Sequence, residues 1–140
     1  MSAANGALIV VVEDSAEVAE ILRLILQEEG FRVAIERHED LARRGYLRRF
    51  IDERNPWVFL WDIPPPLRDQ WALLERVRRA APHQSFVVTS TNRAVLEQFA
   101  APGKFEILSK PFDIDEMLRA LHRAAEGRSH ERPPRFRAVA

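Results

Sequence analysis

Five times along this chain a short apolar run, rich in β-branched or aromatic side chains, precedes a segment whose apolar residues recur at helical spacing. The runs cover residues 7–12, 31–35, 57–61, 86–88 and 105–108. The first reads ALIVVV, without polar alternation, as suits a strand buried on both faces. Val18, Ile21, Leu22 and Ile25 then form a helical stripe that closes at Gly30, the residue type favoured just past a helix end. Leu47, Phe50 and Ile51 mark an Arg-rich helix ending at Asn55-Pro56, and Leu73, Leu74 and Val77 mark another that Pro82 closes. Val95, Leu96 and Phe99 give a short helix broken by Pro102-Gly103, and Ile114, Met117, Leu118 and Leu121 give the last. Strict alternation of this kind predicts an α/β domain: a doubly wound, five-stranded parallel sheet with right-handed crossovers and helices on both faces.

A length of 140 residues suits one core. The predicted domain is 1–126. The remainder, 127–140, carries Arg128, Arg132, Arg135 and Arg137 beside Pro133-Pro134 without an apolar period, and is expected to be a flexible basic tail. Lys plus Arg and Asp plus Glu both total 21, so net charge directs the molecule neither to nucleic acid nor to an anionic membrane. Absence of cysteine removes disulfides, thiolate nucleophiles and sulfur-ligated zinc, and fits a reducing cytoplasm. No apolar run approaches the roughly 20 residues of a spanning helix. The expectation is a cytoplasmic protein with no direct DNA binding and no membrane contact.

Ligands of an open parallel sheet collect outside the carboxyl ends of its strands. There the first strand offers Glu13 and Asp14, the third Asp62, the fourth Thr89 and Ser90, and the fifth Ser109 and Lys110. Singly, each has an ordinary use: Asp14 and Glu17 have the spacing of a capping box, and Thr89 or Ser90 could bond nearby backbone. Together, three carboxylates raise one another's pKa unless cations offset them. A hard divalent ion would do so, since Mg²⁺ keeps several waters beside one or two carboxylates. A second cation stands at Lys110, one of only two lysines beside 19 arginines.

In order and spacing, VVVEDS, FLWDIPPP, VVTST and ILSKPF resemble the response-regulator receiver domain of two-component signalling, over about residues 7–126. The resemblance implies a flavodoxin-like fold of receiver type and a phosphoprotein that is not a conventional enzyme. Asp62 is then the phosphoacceptor, taking a phosphoryl group from a phosphohistidine on a sensor histidine kinase or histidine phosphotransfer protein. Asp14 would ligate Mg²⁺ directly, Glu13 through water, and Asp62 and the Pro64 carbonyl would complete the protein ligands. Lys110 would pair with phosphoryl oxygens, Pro111 would follow a cis peptide bond, and either Thr89 or Ser90 would be the switch hydroxyl. With no effector segment in sequence, output is expected by docking on a downstream protein or by phosphorelay, and a homodimer stays open.

Ile107 stands where receivers usually carry an aromatic switch residue, and the segment between the second and third strands is longer than usual and holds Arg43, Arg44, Arg48 and Arg49. These departures keep a second reading in view, a pseudo-receiver whose partner binding ignores phosphorylation. An aspartyl-phosphate phosphatase of the haloacid-dehalogenase type needs a second acid two residues past its nucleophile, where this chain has Pro64. A flavodoxin-like cofactor binder needs a phosphate cradle after Val12, where Glu13 and Asp14 would repel the anion.

Overall fold

The computed structural model describes residues 6–64, 67–92, 94, 97 and 105–131. Five parallel strands, β1 (Leu8–Val12), β2 (Arg32–Glu36), β3 (Val58–Asp62), β4 (Ser85–Ser90) and β5 (Glu106–Ser109), lie in the order β2-β1-β3-β4-β5. The helices are α1 (Ala16–Glu28), α2 (His38–Leu41), α3 (Tyr46–Arg54), α4 (Leu67–Ala80) and α5 (Ile114–Glu131). The strand order reverses between β1 and β3, so the loops after these strands open a crevice at the carboxyl edge.

Alternation along the strands sorts side chains into two cores. Val10, Val12, Phe59, Trp61, Phe86 and Val88 face α2, α3 and α4. Ile9, Val11, Val58, Leu60, Val87 and Leu108 face α1 and α5. β1 is buried along its whole length, because both of its faces are covered. Phe59 stacks on Phe86 at 5.1 Å, and Phe105 links Phe86 to Trp71, with ring separations of 6.1 and 5.4 Å.

The structure corrects several local expectations. The stripe assigned to α1 holds in half: Leu22 and Ile25 pack against the core beside the buried Ala19 and Leu26, whereas Val18 and Ile21 are exposed, Ile21 to 57%. This helix carries apolar residues on two adjoining stripes, and periodicity alone does not choose between them. Ser15 caps it, its hydroxyl accepting from the Val18 N–H at 3.3 Å, so the capping role considered for Asp14 is not used. The Arg-rich segment is two helices, because Gly45 takes a left-handed conformation (φ 78°) and starts α3 afresh. In α4 the inward residues include Trp71 beside Leu74 and Val77, while Leu73 is only partly buried. Ile114, at the start of α5, is 44% exposed.

α5 continues to Glu131, beyond residue 126, so the backbone of 127–131 is helical. Residues 132–140 of the expected tail lie outside the described residues, as does most of the helix expected around Val95, Leu96 and Phe99. Among the described residues no helix is long and apolar enough to cross a membrane.

Candidate functional site

The sheet register aligns the polar residues at the strand ends. Val12 pairs with Trp61, Asp62 with Thr89, and Ser90 with Ser109. Glu13, Asp62, Thr89 and Lys110 therefore converge at the carboxyl edge, around a recess of about 50 Å³ walled in part by Val18 and Phe112.

Asp62 Oδ1 is the focus. Lys110 Nζ lies 2.5 Å from it, and Thr89 Oγ1 donates to it at 3.0 Å. The loop after β5 brings the ammonium in: the Lys110 N–H donates to the Ser90 carbonyl at 2.9 Å, and the Lys110-Pro111 peptide bond is cis, as the family resemblance implies. The Ile63 N–H donates to the Thr89 carbonyl at 2.9 Å and continues the β3–β4 pairing past Asp62. Ser90 is turned elsewhere, its hydroxyl accepting from the Asn92 N–H at 3.1 Å. Of the two candidate hydroxyls, Thr89 is the one that meets Asp62. Pro64 is half-buried two residues beyond Asp62, and Pro65 and Pro66 lie outside the described residues.

Glu13 is buried, with its carboxylate accepting from the Ser15 N–H at 3.1 Å. Burial pushes its carboxyl above the ordinary value, and the charges of Asp62 and Asp14 add to the rise; the Ser15 hydrogen bond and Lys110 oppose it. The folded state thus holds a proton on Glu13 more tightly than the unfolded chain does. Its contribution to stability is fully present at acid pH and is lost as pH rises from the unfolded value through the folded one. Glu13→Gln is accordingly expected to stabilise the protein near neutral pH in EDTA. A gain of about 1 kcal/mol would raise Tm by about 4 °C, and calorimetric melts from acid to neutral pH should show the gap to wild type closing at low pH.

Asp14 does not point into this group. Its Oδ1 accepts from the backbone N–H of His38 at 3.0 Å, and its Oδ2 lies 3.0 Å from His38 Nδ1. The second contact is an ion pair when the ring is protonated, without the alignment of a hydrogen bond. Burial pushes the Asp14 carboxyl up, but His38 and Arg37 together outweigh it and leave the group below its ordinary value. The other ring nitrogen, His38 Nε2, is 2.8 Å from the Asp62 carbonyl oxygen. A carbonyl only accepts, so Nε2 carries the hydrogen. One layer further out, the Glu13 N–H donates to the Glu36 carbonyl at 3.0 Å, and Tyr46 donates to the Glu36 carboxylate at 2.7 Å, a bond that pushes the phenol up to about 12.

His38 escapes the sequence reading. Its signal was available: the strand-end rule that selects Glu13, Asp62, Thr89 and Lys110 applies equally to β2, and His38 is two residues beyond the end of that strand.

The donors around the recess are all oxygens apart from Lys110, the chemistry that suits a hard cation. Among the described residues, no three His, Cys, Asp or Glu side chains gather closely enough to cage a metal by themselves. Mg²⁺ does not require such a cage, because it retains waters, and the recess has several times the roughly 10–15 Å³ that one water needs. Glu13 and Asp62 fit a hydrated Mg²⁺, and Asp14 would have to turn from His38 to join them.

Residues 9–122 match the family described as the response regulator receiver domain. The chain is 27% identical over 122 residues to the DNA-binding transcriptional regulator NtrC of Rhizobium meliloti, covering 86% of this chain and 24% of that protein. It is 26% identical over 136 residues to the transcriptional regulatory protein TcrA of Mycobacterium tuberculosis, covering 96% of this chain and 52% of that one. The chain thus spans about a quarter to a half of the length of these relatives. Among solved structures, it superposes on a response regulator receiver domain protein from Clostridium thermocellum with a TM-score of 0.68 at 21% identity, covering 89% of this chain and 98% of that one. For NtrX from Brucella abortus the TM-score is 0.70 at 24% identity, covering 91% of this chain and 28% of that one. With the matched segment taking in all five strands but for Leu8, and the acids, hydroxyl and lysine at their carboxyl ends, the chain belongs to the response regulator receiver domain family.

Proposed function

We propose that this protein accepts a phosphoryl group on Asp62 from a phosphohistidine of a sensor histidine kinase or histidine phosphotransfer protein. One observation carries the reading: a single carboxylate oxygen at a strand end meets both an ammonium and a hydroxyl beside a recess. An Asp62 oxygen attacks phosphorus, the P–N bond breaks with its electron pair leaving on the imidazole, and an acyl phosphate remains on Asp62. Lys110 and Thr89 already supply N–H and O–H donors at Asp62, and they are the groups available to phosphoryl oxygens as negative charge moves there. Glu13 through water, Asp14, Asp62 and the Pro64 carbonyl are the residues that would hold Mg²⁺. When bound, the ion neutralises charge on the transferred group.

Trp61 adjoins Asp62 and is fully buried. Mg²⁺ with beryllofluoride is expected to change tryptophan emission in the wild type and not in Asp62→Asn. No change, or the same change in both, would overturn the proposal.

Signalling then follows by docking on a downstream protein or by phosphorelay. A second reading, a pseudo-receiver that binds its partner irrespective of phosphorylation, is favoured by Ile107, which packs half-buried against the aromatic core where receivers usually carry an aromatic switch residue. Partner affinity with and without phosphodonor separates the two: equal affinities support the pseudo-receiver.

A further inference from the structure

We infer that the arginine face at the start of α3 is a docking surface for an acidic segment of the protein that delivers the phosphoryl group. This rests on the phosphoacceptor reading above and adds the electrostatics of its donor. Between Arg37 and Arg49 five arginines accompany only two acids, Glu39 and Asp40. Those acids engage Arg37 and Arg43 loosely, at 3.9 and 3.8 Å. Arg44, Arg48 and Arg49 are exposed and make no ion pair among the described residues. By contrast, Arg23, Arg78 and Arg123 close on Glu20, Glu75 and Glu106. The local structure offers the α3 charges no compensation. This helix starts at Gly45 with no capping side chain and no acid in its first turn, and cations at the positive end of a helix dipole weaken the helix. A surface segment that breaks such a rule without a gain inside the domain points to a partner that offsets it.

The face stands at the phosphoacceptor edge of the sheet. Glu13 lines the recess, and its N–H donates to the Glu36 carbonyl. Tyr46, the first residue of α3, donates to the Glu36 carboxylate, and the Arg43 guanidinium lies 4.9 Å from the centre of the Tyr46 ring. Glu36 ends β2, two strands from Asp62, which is about 10 Å at the usual strand spacing. A stable interface covers about 800 Å² on each partner, a patch about 16 Å in radius. A protein whose phosphohistidine enters the recess therefore reaches these arginines. Duplex DNA is the poorer fit, because Glu39, Asp40, Asp52 and Glu53 interrupt the positive field that a phosphate backbone needs. On the other face of the sheet the rim has the opposite sign, with Glu17 at the start of α1 and Asp113, Asp115 and Glu116 around the start of α5. A donor with its acids toward α3 is favoured over one turned around.

The test is a full-length variant carrying Arg44→Glu, Arg48→Glu and Arg49→Glu together. Acids at this end suit the helix dipole, so the fold should hold, and calorimetric melts check it. If the melt shows an unfolded chain, the same three positions changed to Gln carry the comparison, with a smaller loss in the same direction. Two donors are compared in about 0.1 M NaCl: phosphoramidate, and the phosphorylated histidine kinase that labels the wild type fastest. Charges on the surface act over only about 10 Å at that salt, so a small donor in the recess does not sense them. Transfer from the kinase below saturation is expected to fall about 10-fold or more, and the gap to narrow in about 1 M NaCl, while phosphoramidate labels both proteins equally. An unchanged kinase rate overturns the proposal and leaves the phosphoacceptor reading standing. An equal loss with phosphoramidate also overturns it, since the damage then lies in the recess itself. Loss of duplex DNA binding, or of a dimer seen by sedimentation, with the kinase rate unchanged assigns the face to those occupants instead. A wild type that neither donor labels brings down the functional reading and this proposal together.

Discussion

Asp62→Asn is expected to abolish phosphoryl uptake from a phosphorylated histidine kinase, by at least about 10³-fold in single-turnover transfer, while leaving the fold intact. The amide keeps the shape and burial of the carboxylate and can still accept from Thr89 Oγ1. What it loses is the nucleophile, together with the charge that draws Lys110 to 2.5 Å. Lys110→Ala should behave differently, retaining the nucleophile and slowing transfer, because its ammonium stabilises charge that develops on the phosphoryl oxygens. Equal residual activity in the two variants would mean that Asp62 is not the acceptor.

Phe59→Ala is expected to be the most damaging change to stability. The ring is fully buried at the centre of β3, stacked on Phe86 and 6.5 Å from Trp61. Truncation costs about 3–5 kcal/mol, a large part of the roughly 5–15 kcal/mol that holds a domain folded. Urea denaturation checks it. Ile21→Ala is the contrast, since Ile21 stands 57% exposed on the outer face of α1 and should shift stability by no more than about 0.5 kcal/mol. If Ile21 faced the core, as its spacing first suggests, both substitutions would be costly.

That contrast shows where the sequence is legible and where it is not. A run such as LIVVV has one physical use in a chain this short, so the alternation of strands and helices, and with it the parallel sheet, could be read directly. The strand-end rule then located Glu13, Asp62 and Lys110, because a parallel sheet presents all its carboxyl ends on one edge. The facing of α1 was legible only in part: Leu22 and Ile25 pack on the core as expected, but Val18, Ile21 and Leu24 make a second apolar stripe that stands exposed. The choice between Thr89 and Ser90 needed register: adjacent residues of a strand point to opposite faces, and only the pairing of Asp62 with Thr89 decides which hydroxyl meets the acid. Asp14 looked like a helix cap because its spacing to Glu17 permits one, yet Ser15 caps the helix and His38, 24 residues away, takes the carboxylate. Contacts across that distance in sequence carry no local periodicity.

The central claim is that one carboxylate in this cluster of acids carries the phosphoryl group. It is tested most directly by treating the protein with Mg²⁺ and a phosphohistidine donor, reducing any acyl phosphate with borohydride, and sequencing the peptides by mass spectrometry. Reduction converts a phosphorylated aspartate to homoserine, which marks its position covalently. The account expects homoserine at residue 62 alone, and only when donor and Mg²⁺ are both present. Conversion at Asp14, reduction of Glu13, or an unmodified Asp62 after treatment with a competent donor would contradict it.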